Sequence, residues 1–165
     1  VVPAADIITP NQFELGFLTG TEPTDLASTL ASADAARALG PATVLVTSVE
    51  RPDRPEGTIE MLAVTDEGAW IVQTPHIPMK ANGSGDVTAA LFTAHYRASG
   101  DAAGALARTV SSVFDLLQNT YDAGAREHTR RAVVEQAFLR GQQALHVKAV
   151  LRQRMTRAAS WLADC

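Results

Sequence analysis

Leu39-Gly40-Pro41-Ala42-Thr43-Val44-Leu45-Val46-Thr47-Ser48 is the stretch on which the reading of the fold turns. Gly40 ends a helix and Pro41 prevents its resumption. After Ala42, the five residues Thr43–Thr47 are β-branched except for Leu45, which predicts a buried strand there. Upstream, Leu26, Leu30, Ala31 and Ala38-Leu39 recur on a helical period, predicting a helix that starts at Thr24 and stops at Gly40. Before it, Ala5-Asp6-Ile7-Ile8 reads as a short strand. Asn11, with Glu14 three residues on, has the pattern of a helix cap and capping box, and Gly20 closes that short helix. Downstream, Arg51–Gly57 holds two prolines and a glycine and is a loop. Glu60–Thr65 and Ala69–Gln73 are two strands joined by Asp66-Glu67-Gly68. A helix follows Asp86, with Val87, Ala90, Leu91 and Ala94 on one face. Asp101 caps another, with Leu106, Val110, Val113, Phe114 and Leu117 on its inner stripe. The order of elements is that of an α/β protein.

At 165 residues and 17.5 kDa the chain is sized for one domain. Its 46% hydrophobic and 19% charged residues exclude bulk disorder. The sequence contains no apolar run long enough for a membrane span and no basic-then-apolar leader. The single cysteine, Cys165, suits a reducing compartment, so a cytoplasmic location is expected. The net charge of −4 argues against nucleic acid as a partner. That average hides a break: residues 1–125 carry −9 and residues 126–165 carry +5. The expected organisation is therefore one unit over 1–125, followed by a basic tail over 126–165 that is helical by propensity.

Two short patterns carry chemistry. In Gly83-Ser84-Gly85-Asp86, glycines flank one small residue, so successive amides can face one concavity at a helix start, where anionic oxygens are favoured. Asp86 stands where a carboxylate could take the proton of an alcohol as a phosphoryl group arrives. The plain alternative is a glycine turn whose aspartate caps a helix. Asn11-x-x-Glu14 is a capping box on the plain reading. It also offers a carboxylate to Mg²⁺, a cation that keeps much of its water. The polar residues that follow the strands, Thr9, Asn11, Glu14, Thr47, Ser48 and Thr74, fall where open sheets bind ligands. His76 reads as an exposed loop residue. The four histidines lack metal-ligand spacing, and no Gly-x-x-x-x-Gly-Lys-Ser/Thr loop is present.

Thr9-Pro10-Asn11-Gln12-Phe13-Glu14, Leu18-Thr19-Gly20, Leu39 to Ser48 and Gly83-Ser84-Gly85-Asp86, in that order and at that spacing, resemble the pyridoxal kinases. These belong to the ribokinase-like superfamily of small-molecule kinases, and the likeness runs from about Ala5 to Thr120. It implies the carboxy-terminal part of a three-layer α/β/α sandwich and an ATP-dependent transfer to the 5′-hydroxyl of pyridoxal. A hydroxymethylpyrimidine kinase or an inactive nucleotide-binding fragment are the alternatives. By the same resemblance Asp86 is the catalytic base and touches the substrate, while Gly83, Ser84 and Gly85 form the anion hole. Glu14, with Asn11, orders Mg²⁺. Thr9, Thr47 and the segment Thr74-Pro75-His76-Ile77 contact ATP. A monovalent cation such as K⁺, B6 vitamers as substrates and a homodimer of the full-length enzyme complete what the family implies. The family is nearly twice this length, and the basic tail is unlike it.

Overall fold

The computed structural model describes residues 2–79, 81–123 and 147–150. After a 3₁₀ turn at Val2–Ala4 come β1 (Ile7–Ile8), α1 (Gln12–Thr19), α2 (Leu26–Arg37) and β2 (Thr43–Val49). β3 (Thr58–Val64), β4 (Ala69–Pro75), α3 (Ser84–Ser99), α4 (Ala102–Asp122) and β5 (Val147–Val150) follow. The strands form one sheet in chain order. β1 lies parallel to β2, and every later neighbour is antiparallel.

Alternation along the strands divides the core in two. Val44, Val46, Leu62, Val64, Ala69 and Ile71 point to one face, where Leu15 of α1 and Ala33 and Ala36 of α2 cover them. Leu45, Ala63 and Val72 point to the other, under Phe92 of α3 and Ala105, Leu106 and Val110 of α4. The result is three layers, helix on sheet on helix. The register enforces this split: Leu45 lies opposite Ala63 and Val46 opposite Leu62, so a slip of one residue would exchange the faces.

Several expectations shift. The first strand shrinks to Ile7–Ile8, and the meander strands extend to 58–64 and 69–75. α2 is capped by Asp25 rather than Thr24, because the Asp25 carboxylate accepts from the Ser28 amide at 2.7 Å. It ends at Arg37, before Gly40. Its buried side is Thr29, Ser32, Ala33 and Ala36, not the leucine stripe; Leu26 and Leu30 are half-buried and Ala31, Ala38 and Leu39 exposed. The two hydroxyls are buried at little cost because Thr29 Oγ1 and Ser32 Oγ donate to carbonyls four residues back. In α3, Val87 and Leu91 are buried as expected, but Phe92 takes the inner position while Ala90 and Ala94 are exposed. In α4, Leu106, Val110 and Val113 are buried, and Phe114 and Leu117 are half-buried.

The basic tail contains one further correction. Val147–Val150 is a strand, not helix, and pairs with Ala69–Val72. Two β-branched residues and an unpaired neighbouring strand outweigh the helical propensity of the surrounding sequence. The rest of the tail, 124–146 and 151–165, lies outside the described residues.

Candidate functional site

Because β3 runs opposite to both its neighbours, β1, β2 and β4 point the same way. Their carboxyl ends therefore share one margin of the sheet. Thr9 and Asn11 follow β1, Thr47 and Ser48 lie near the end of β2, and Thr74 to Ile77 end β4 and begin the loop beyond it. α3 adds its start to the same margin. Arg97 in its last turn stands 4.0 Å from Asp6, at the amino end of β1. Sixteen helical residues span about 24 Å, close to the length of a seven-residue strand, so Gly83–Asp86 fall at the opposite, carboxyl end.

The start of α3 turns on a glycine. Gly83 is the N-cap with φ 83°, a left-handed conformation that favours glycine. The Val87 amide returns to the Gly83 carbonyl at 3.1 Å, and Ser84 Oγ donates to the Ala81 carbonyl at 3.0 Å. Gly83 has no side chain with which to cap the helix, and Asp86 lies exposed in the first turn. A Cβ placed on Gly85 would meet nothing within 4 Å, so the approach to this turn is open. The Ser84 amide turns back toward the Ala81 carbonyl at 3.4 Å, a long contact, and the positive end of the helix attracts anions.

At α1 the capping box is present in full. Asn11 Oδ1 accepts from the Glu14 amide at 2.8 Å, and Glu14 Oε2 accepts from the Asn11 amide at 2.9 Å. Asn11 also bridges Thr47 in a parallel register, and the Thr47 amide donates to the Pro10 carbonyl at 2.9 Å. Asn11, Glu14 and Thr47 are thus brought together. Glu14 is exposed, and a single accessible carboxylate fits a cation that retains its waters. Among the described residues no group of three His, Cys, Asp or Glu could hold a metal ion directly. In β4, Thr74 is buried; Pro75 pairs with Thr58; His76 is exposed, with its amide on the Gly57 carbonyl at 2.8 Å.

Sequence reasoning missed what fastens this margin. Gln12 uses its amide fully: Nε2 donates to the carbonyls of Pro23 (2.7 Å) and Glu50 (3.0 Å), while Oε1 accepts from the Glu50 amide at 2.6 Å. Arg51 forks onto Glu60, Nε to Oε2 at 2.7 Å and Nη2 to Oε1 at 2.9 Å, and also reaches Asp53. Glu60 is 2% exposed, and its hydrogen bonds push the Arg51 pKa above the ordinary value. Ser48 has φ 52°, rare without glycine, inside an irregularity of the β2–β3 ladder. The polar residue after Asn11 was the available signal for Gln12; nothing in the sequence pairs Arg51 with Glu60. A cleft of about 1140 Å³ opens beside these residues, lined by Asn11 and Ser48 with Phe13, Phe17, Arg51 and Arg54 among others. It takes in none of Thr74–Ile77 or Gly83–Asp86.

Helices on both faces of this mixed sheet make the chain a three-layer α/β/α protein over the residues described. The phosphomethylpyrimidine kinase family model matches residues 1–131, and the chain belongs to that family. It is 72% identical over 138 residues to pyridoxal kinase PdxY of Leifsonia xyli subsp. xyli, covering 84% of this chain and 48% of that protein. It is 62% identical over 127 residues to pyridoxal kinase PdxY of Corynebacterium diphtheriae, covering 77% and 45%. The structure of pyridoxal kinase from Leishmania donovani in complex with ADP and pyridoxamine aligns with a TM-score of 0.78 at 25% identity, over 91% of this chain and 52% of that one. The chain spans about half the length of the curated relatives it matches.

Proposed function

We propose that the chain is the carboxy-terminal, phosphate-handling portion of an ATP-dependent pyridoxal kinase that forms pyridoxal 5′-phosphate in B6 salvage. The observation that carries this reading is the 72% identity to a pyridoxal kinase across 84% of the chain. Residues 1–125 would hold the kinase segment and 126–165 an added basic tail. The complete enzyme would be a cytoplasmic homodimer using Mg²⁺ and a monovalent cation such as K⁺.

Bound ATP with Mg²⁺ supplies the electrophilic phosphoryl group and neutralises part of its charge. The chain's own residues have separate tasks. The amides of Gly83, Ser84 and Gly85 favour the anionic oxygens at the head of α3. Asp86, exposed in that turn, accepts the proton of the 5′-hydroxyl. Glu14, fixed by Asn11, orders the waters of the cation. Thr9, Thr47 and the Thr74–Ile77 segment line the nucleotide along the strand ends. The residues that would hold the vitamin are assigned to the other half of the fold, so the isolated chain binds nucleotide weakly and does not turn over.

The test separates these statements. Residues 1–165 are assayed for ADP and ATP binding and for pyridoxal 5′-phosphate formation, alone and co-expressed with the remaining half of the Leifsonia xyli relative. Nucleotide binding alone, and turnover only in the pair, is expected. Absence of both binding and paired turnover would defeat the reading. Hydroxymethylpyrimidine serves as the competing substrate.

A further inference from the structure

We infer that Gln12 is a positioning residue, which fixes the spacing between the start of α1, carrying Glu14, and the end of β2, carrying Thr47 and Ser48. The inference rests on the kinase reading above, because that spacing matters only if nucleotide and cation lie along the margin.

Gln12 is the first residue of α1, directly after the Asn11 cap. Its side chain makes three hydrogen bonds, all to backbone, and they reach two different loops. One bond holds Pro23 in the α1–α2 connection. The other two clasp both polar groups of Glu50, just beyond β2. A side chain that satisfies both the amide and the carbonyl of one residue fixes that residue in position and orientation. Two positions before Glu50 stands Ser48 in its left-handed conformation, and one position after it Arg51 forks onto the buried Glu60. The segment 48–51 is therefore anchored to β3 through Arg51 and to α1 through Gln12. On the far side of Gln12, the Asn11–Thr47 bridge and the Asn11–Glu14 box complete a closed circuit. Without Gln12, the polar links from the start of α1 to this part of β2, among the described residues, would reduce to the Asn11–Thr47 bridge and the Thr47 amide on the Pro10 carbonyl, with Leu15 packed further along the strand.

Two substitutions separate this role from simple packing. Gln12→Met keeps length and loses all three bonds, while Gln12→Glu keeps an acceptor for the Glu50 amide and loses both donations. Hydrogen exchange at the Glu50 amide and binding of ADP with Mg²⁺ are measured on the full 165-residue chain, with melting temperature as the measure of stability. In Gln12→Met we expect Glu50 exchange about tenfold faster and nucleotide affinity about tenfold weaker, with a Mg²⁺ requirement raised in parallel. Gln12→Glu should also speed Glu50 exchange, because its carboxylate would face the Pro23 and Glu50 carbonyl oxygens to which Nε2 donates. Unchanged exchange in Gln12→Met overturns the clasp. Faster exchange with unchanged nucleotide affinity overturns positioning and leaves a structural joint. Wild-type chain that binds no nucleotide, together with no turnover in the co-expressed pair, overturns the kinase reading itself, a result distinct from either.

Discussion

Asp86 and Glu60 are both carboxylates, and their surroundings are opposite. Asp86 is exposed in the first turn of α3, on the open side of the glycine turn. Asp86→Asn should leave nucleotide binding intact and lower turnover of the co-expressed enzyme by about 10²–10⁴-fold. Turnover within about threefold of wild type would remove it from the mechanism. Glu60 is enclosed and bound in a fork to Arg51. Glu60→Ala removes both bonds of the fork and leaves Arg51, only 15% exposed, with Asp53 as its remaining acidic partner, so urea unfolding should show a loss of about 2 kcal/mol. A change below about 1 kcal/mol would show that water replaces the fork without penalty. At this scale short spacings single out Asp86, Glu14 and Asn11, and of these the Asn11–Glu14 capping box is present. The sequence concealed Gln12, Arg51 and Glu60, whose partners stand far away in the chain and meet only once the sheet has formed.

α4 shows how one cap depends on a neighbour that has no side chain. The Asp101 carboxylate accepts from the Gly104 amide at 3.0 Å, and a Cβ on Gly104 would fall 2.2 Å from Asp101 Oδ2. Gly104→Ala should therefore forfeit the roughly 1 kcal/mol that alanine usually gains inside a helix, because the cap is displaced. A clear rise in melting temperature would contradict this. Between α3 and α4, burial holds the His95 imidazole below its ordinary 6.5, and Arg108 depresses it further. As pH falls through about 6.5 the unfolded chain takes up a proton that the folded chain resists, so this contribution to stability declines with acid and is intact above that value. His95→Gln should flatten the slope of stability against pH between about 5 and 7.5, measured by urea midpoints. An unaltered slope would assign it to other groups. Elements were legible where periodicity was strong, as in β2, the β3–β4 meander and α4. They were misjudged where polar residues occupy the core, as Thr29 and Ser32 do, or where a distant strand supplies the pairing, as β4 does for Val147–Val150.

At the scale of the molecule, the α/β class was readable from the helix stop before Thr43, and the three layers follow from the alternation in β2, β3 and β4. The sheet's assembly was less readable, since adjacency between separated segments leaves no local trace. That assembly has a temporal side. β2 joins β3 through the loop 50–57, β3 joins β4 through the turn 65–68, and α3 joins α4 through a single break at Gly100-Asp101, so these contacts close small loops. β1 meets β2 only after the chain has passed through two helices, and β1 is two residues long. Closing such a crossover costs entropy that two ladder positions barely repay. β1 should therefore be the last of β1 to β4 to dock and the first to release. Native-state exchange should find the Ile7 and Ile8 amides opening well below the global unfolding free energy, while Leu45 and Leu62 open only with it. Equal protection at all four would instead mean that the sheet forms and melts as one unit. The carboxyl margin inherits this ordering: β2 and β4 would stand ready while the Asn11–Glu14 arm, tethered to β1, arrives late and comes away early.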